Sequence, residues 1–179
     1  MISATATATG TIRSAAVALS ASRDTSLGGA VTVNVSTATT QVSSVGATLD
    51  AGGALSLNAD DTGTIESLAG GAVVSANGSG VGGAISANFI AHDTGVLTNG
   101  AMLSGEGVTL GATNGSTLKS AAVGLTLTGA GPTAVAGSLA IGDIGNTTSV
   151  DATNTSIDAG TGAISLSATR TGQISKAYQ

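Results

Sequence analysis

The chain has 179 residues, ten acidic and five basic side chains, a net charge of −5, no cysteine, 8% charged residues and 1% aromatic residues. Phosphate backbones need clustered Lys and Arg, whereas Arg13, Arg23, Lys119, Arg170 and Lys176 are dispersed, so nucleic-acid binding is excluded. A disulfide scaffold and thiolate metal sites are excluded too, and no apolar run nears the roughly 20 residues of a membrane span.

Disorder goes with low hydrophobicity and high charge; this chain has a mean hydropathy of +0.41 and is expected to fold. Without aromatics, small residues and Val, Ile and Leu must fill the core, which suits a narrow interior built of stacked, similar layers. Met1 is followed directly by repeat sequence, with neither the basic nor the apolar region of a signal peptide, so the chain reads as a segment of a longer protein.

An internal period appears at once. Ile2-Ser3-Ala4-Thr5-Ala6, Leu55-Ser56-Leu57-Asn58-Ala59, Val108-Thr109-Leu110-Gly111-Ala112 and Ile164-Ser165-Leu166-Ser167-Ala168 start at offsets of 53, 53 and 56. Thr11-Ile12-Arg13-Ser14 returns as Thr64-Ile65-Glu66-Ser67 and Thr117-Leu118-Lys119-Ser120, and Gln173-Ile174-Ser175 begins a fourth. Val42, Val96 and Val150 stand 54 apart, as do Leu49, Leu103 and Ile157. The chain therefore divides into repeats 2–54, 55–107 and 108–163 and a partial 164–179, forming one β-solenoid segment.

Leu55-Ser56-Leu57-Asn58-Ala59 alternates apolar and polar residues, the period of a half-buried strand. Thr, Val, Ser and Gly dominate elsewhere, and helix signals are weak. In the second repeat the strand candidates are 54–59, 64–68, 72–76, 83–88, 95–97 and 101–104, separated by Gly, Asn, Asp and Ser. Six short strands imply two coils of about 27 residues, or three of about 18, and an axial length of roughly 30 to 50 Å. Leu55, Leu57, Ile65, Ile85, Val96 and Leu103, with their mates in the other repeats, are the expected interior.

Two ladders read as structure. Asn34, Asn88 and Gly142 share a position, expected to be a strand-ending bend because Asn and Gly tolerate a left-handed backbone. Arg13, Glu66 and Lys119 share another and should point outward, roughly 10–14 Å apart if each repeat holds two or three coils, as solvated surface and not a salt-bridge ladder.

The string Gly28-Gly29-Ala30-Val31-Thr32-Val33-Asn34, a polar stretch, and then Thr48-Leu49-Asp50-Ala51-Gly52-Gly53-Ala54-Leu55-Ser56-Leu57-Asn58-Ala59 resembles repeats of very large bacterial surface adhesins. These are the filamentous-haemagglutinin-like and autotransporter-passenger exoproteins exported by type V secretion. The resemblance implies a right-handed parallel β-helix that projects a binding tip away from the cell, at an extracellular or cell-surface location.

Chemistry is sparse. Polysaccharide-cleaving β-helices need carboxylates beside Lys or Arg, and Asp60-Asp61 is the only adjacent acidic pair; it reads as a strand-to-turn element. His92-Asp93 holds the single histidine, and its counterparts Ala38-Thr39 and Asn146-Thr147 show that the repeat does not need it, so an exposed loop is expected. Gly-Gly-x-Gly-x-Asp calcium repeats are missing, and Gly129-Ala130-Gly131 runs into Pro132 without the lysine of a phosphate loop. Thr5, Thr7 and Thr9 alternate as on an ice-binding face, but their counterparts Asn58, Asp60, Thr62 and Gly111, Thr113, Gly115 do not continue the array. No catalytic, cofactor-binding or metal-binding residue is expected. The expected partners are neighbouring coils of the parent protein, further copies meeting end to end, and a host or matrix glycan or protein.

Overall fold

The computed structural model describes residues 1–131 and 133–178; Pro132, the residue that ends the Gly129-Ala130-Gly131 stretch, and Gln179 lie outside the described residues. Each repeat forms two very long strands and one short one. In the first these are β1 (Ile2–Ser22), β2 (Ser26–Val45) and β3 (Thr48–Asp50), and in the second β4 (Leu55–Ser75), β5 (Gly80–Asn99) and β6 (Met102–Ser104). The third has β7 (Val108–Thr128), a second long strand divided into β8 (Ala134–Ile144) and β9 (Thr147–Thr153), and β10 (Ser156–Asp158); β11 (Ile164–Tyr178) starts the next.

All pairing is parallel and joins each strand to its counterpart one repeat away. The sheets run β1-β4-β7-β11, β2-β5-β8 with β9 also on β5, and β3-β6-β10. Ile2 pairs Leu55, Leu55 pairs Val108 and Val108 pairs Ile164, so the ladder follows the sequence offsets of 53, 53 and 56. The fold is a parallel β-solenoid, as expected, but one whole repeat makes one coil.

The expected coils of about 27 or 18 residues are thereby corrected, and so is the axial length. Four strands stacked at about 4.8 Å put the first and last about 14 Å apart, while a 21-residue strand runs about 65–70 Å. The solenoid is wide and shallow. Gly, Asn and Asp inside β4 and β5 do not break the strands, because ladders on both sides, interrupted only at Ala91 and His92 between β8 and β9, hold an extended backbone that those residues would not choose alone.

The reversal of the backbone occurs elsewhere. Gly46, Gly100 and Asn154 stand 54 apart and all have positive φ, at 60°, 62° and 49°. They close β2, β5 and β9, and Gly46 and Gly100 each donate N–H to the carbonyl one coil on, Asn99 at 2.8 Å and Thr153 at 3.0 Å. The Asn34–Asn88–Gly142 row, expected at this bend, instead lies in mid-strand, with Asn88 fully buried.

The interior changes character along the width. Next to the short sheet, Leu55, Leu57, Val96, Leu103, Val108 and Leu110 form the main aliphatic cluster, and Ile65, Ile90 and Leu118 form a second. Towards the β4–β5 turn the interior is mostly alanine, with Ala30, Ala69, Ala84, Ala122 and Ala140, and a larger aliphatic, Val73, is set there against Gly28, Gly80 and Gly82. There the two sheets nearly touch. A Cβ on Gly71 would overlap the Gly83 carbonyl oxygen, and one on Gly124 would stand 2.6 Å from that of Gly137. A large side chain does not fit between them at this level, so the bulky residues beside these glycines point outward. Ile85, expected inside, is 42% exposed, flanked by its exposed counterparts Val31 and Leu139; the other five of the second repeat are buried, while their mates Ile164, Leu166 and Ile174 on the end strand β11 are exposed.

Candidate functional site

Between the two aliphatic clusters the interior is polar. Inward positions of β4 run Leu55, Leu57, Ala59, Asp61, Gly63 and Ile65, and those of β5 run Ile90, His92, Thr94 and Val96. This parity brings Asp61 and His92 face to face inside the solenoid, with side chains 1% and 3% exposed. Both differ from expectation: Asp61 is not in a turn and His92 is not on an exposed loop. Asp60 and Asp93, their neighbours, point to the outer faces as alternation demands. The ring has space because position 63 is glycine; a Cβ there would stand 2.5 Å from His92 Cε1.

His92 Nδ1 lies 2.9 Å from Asp61 Oδ1, and the Thr40 hydroxyl donates to Asp61 Oδ2 at 3.0 Å. With Nδ1–H donating to the carboxylate, Nε2 on the other side of the ring faces the Ser36 hydroxyl at 2.9 Å. The His92 backbone N–H donates to Asn146 Oδ1 at 3.0 Å. A hydroxyl, an imidazole and a carboxylate thus stand in the order of an acyl-transfer relay. Ser36 and Thr40 carry no signal of their own in the sequence, and Asn146 enters it only as the counterpart of His92, since each matters only through register with a neighbouring coil.

The surroundings describe a buried polar ladder. On the third coil Asn114 takes the place of Asp61, donating from Nδ2 to Thr94 Oγ1 at 2.9 Å and accepting from Asn146 Nδ2; Asn146 also donates to Ser116 Oγ at 2.7 Å. A second such zone centres on Asn88, whose Nδ2 donates to Ser67 (2.7 Å), Ser120 (3.0 Å) and Ser86 (3.1 Å), while Asn34 Nδ2 donates to its Oδ1 at 2.7 Å. Every polar atom of the Asp61 and His92 side chains has an interior partner, which is what burial of such groups requires. Ser36 itself is half-buried, on the end strand of its sheet.

On the outside, Arg13, Glu66 and Lys119 occupy neighbouring strands at one register, and because a coil is a whole repeat they touch. Arg13 Nε donates to Glu66 Oε2 at 2.9 Å and Lys119 Nζ to Glu66 Oε1 at 3.2 Å. The expected separation of 10–14 Å is corrected to a three-residue ion-pair ladder. Hydrogen bonding to Lys119, then to Arg13, with the charges of both, holds the Glu66 carboxyl below its ordinary range. Thr5, Thr7 and Thr9 pair with Asn58, Asp60 and Thr62, and these with Gly111, Thr113 and Gly115, the register read from the sequence. Among the described residues, no cluster of three His, Cys, Asp or Glu could hold a metal ion. Comparison of the chain with protein-family models, with curated proteins and with solved structures finds no match.

Proposed function

We propose that this chain is a non-catalytic structural section of a large secreted or surface-anchored bacterial adhesin, acting as a spacer that carries coils without chemistry of its own. The observation that carries this reading is the contrast between a backbone register that persists across coils and side chains that do not. At one inward position the chain has Ala8, Asp61, Asn114 and Arg170 on successive strands. A ladder that accepts four chemistries at one place is selected for stacking.

The adhesin assignment itself rests on the sequence resemblance, and it brings with it an extracellular location and an export route. The outer surface next to the short sheet, rich in Ser, Thr, Asn and Gly, suits weak sugar or protein contacts. A second reading, a self-assembling extracellular fibre, is favoured by the apolar outer faces of the other end. Incubation with acidic and neutral polysaccharides and with activated esters tests the non-catalytic claim, read by release of reducing ends, unsaturated products or alcohol. No turnover is expected. Turnover abolished by Asp60→Asn, Asp61→Asn, Asp93→Asn or Ser36→Ala would overturn the claim and make the Ser36–His92–Asp61 array a working relay.

A further inference from the structure

The outer face of the β2-β5-β8 sheet is divided in two. Beyond residue 36 its outward positions are mostly polar, among them Thr37, Thr39, Gln41, Asp93, Thr147 and Ser149. From residue 27 to 35, with the paired positions of β5 and β8, they are apolar and exposed: Val31 is 60% exposed, Ile85 42% and Phe89 38%. Asp143, paired with Phe89, is the one charged residue at the border of this half. These side chains present on the order of 800 Å² of surface, the share per partner of a standard protein interface and more than ordinary monomers leave in one apolar patch.

The relief of this patch suits a particular occupant. Gly29, Gly83 and Gly137 pair across the three strands and form a groove parallel to the solenoid axis. Beside it stands a ridge, Val31, Ile85 and Leu139, about 7 Å away at same-face spacing. A two-fold axis parallel to these rows and midway between them lays the ridge of one molecule into the groove of another, and the reverse, with no further adjustment. The same operation sets the Leu27, Val81, Val135 row against Val33, Ala87 and Ile141, where alanine leaves room at the centre.

We propose that this half of the β2-β5-β8 face is a docking surface for a second copy of this chain, packed sheet on sheet about a two-fold axis along the glycine groove. The inference does not depend on the adhesin reading. It differs from end-to-end association, which uses backbone edges and not this face.

Sedimentation equilibrium of the 179-residue chain over a concentration series tests it, with circular dichroism reporting the fold. Ile85→Lys places a charge on the ridge, with Ile85→Thr as the variant that keeps strand preference. Gly83→Leu fills the groove; its Cβ would meet nothing nearer than the Gly137 carbonyl oxygen at 3.8 Å, so the fold has room for it. Thr39→Lys on the polar half is the control. The ridge and groove variants should each weaken dimer formation at least tenfold, while the control leaves it unchanged. Association remaining in both variants reports the strand edges. The proposal is overturned if the unchanged chain is monomeric throughout, if Ile85→Thr and Ile85→Lys dimerise normally, or if Gly83→Leu, the more apolar surface, associates as tightly as the unchanged chain.

Discussion

Gly46, Gly100 and Asn154 carry the turn on which every coil depends. A residue with a Cβ is strained there by roughly 1–2 kcal/mol, and Asn least because its short polar side chain tolerates the left-handed region. Gly100→Val should therefore destabilise the chain by about 1–2 kcal/mol or more, and Gly100→Asn by much less, in a denaturant titration. Equal losses would mean that the turn does not constrain the backbone as its φ values indicate. Glu66 offers a second residue-scale test. Its carboxyl is held below the ordinary range by Lys119 and Arg13, so the folded form binds its proton less readily than the unfolded chain. Its contribution is complete above the ordinary glutamate range and is lost as pH falls through the depressed value. Carboxyl NMR titration should give a midpoint below that of a free glutamate, returning to normal in Arg13→Ala/Lys119→Ala. The ladder is exposed, so its contribution should also fade at high salt.

At the scale of the strand, parity decides what each residue does. β4 and β5 meet most closely at Gly71 and Gly83, and Gly71→Ala would drive a methyl into a carbonyl oxygen that the parallel ladder holds in place. We expect a loss of about 1–3 kcal/mol, as for overpacked cores. Gly10→Ala, whose Cβ would meet nothing within 4 Å, is the matched change and should be near neutral or stabilising. Similar melting temperatures for the two would contradict the close approach of the sheets. Much of this geometry was legible. The offsets of 53 and 54 give the pairing partners, and alternation from Leu55 gives the inward set as far as Ala59. Continuing the same alternation through Asp61 to Ile65, and from Ile90 to Val96, would have faced Asp61 and His92 into one interior. What hid this was the ordinary meaning of Gly, Asn and Asp as strand breakers, which holds for short strands and fails when pairing on both sides fixes the backbone. Ile85 misled for the opposite reason. Burial normally claims the large apolar residue, but here the glycines of the facing strand leave it no space, and alanine and serine take the interior.

For the molecule as a whole, stacking leaves unpaired backbone at the outer edges of β1, β2 and β3 at one end and of β8, β9, β10 and β11 at the other. The 179-residue chain is expected to associate end to end through these edges. Thr7→Pro, in the middle of β1, removes a donor and adds bulk there, so it should reduce that association. Light scattering that shows the same assemblies with and without the proline would remove edge pairing as their cause. Edge pairing and the apolar sheet face act in perpendicular directions, one lengthening the solenoid and the other thickening it.

The size of the coil bears on reach. At about 4.8 Å per coil of 53 residues, the solenoid advances 1 Å for roughly 11 residues, so 100 Å of projection takes on the order of 1,100 residues. Coils of 18 residues would cover the same distance with a third of the chain. A fold selected for distance alone would shrink its perimeter. This one has widened it, to two strands of about 65–70 Å each. A protein built this way gains frontage faster than height: it resembles planking more than a mast, and each added coil adds far more wall than length.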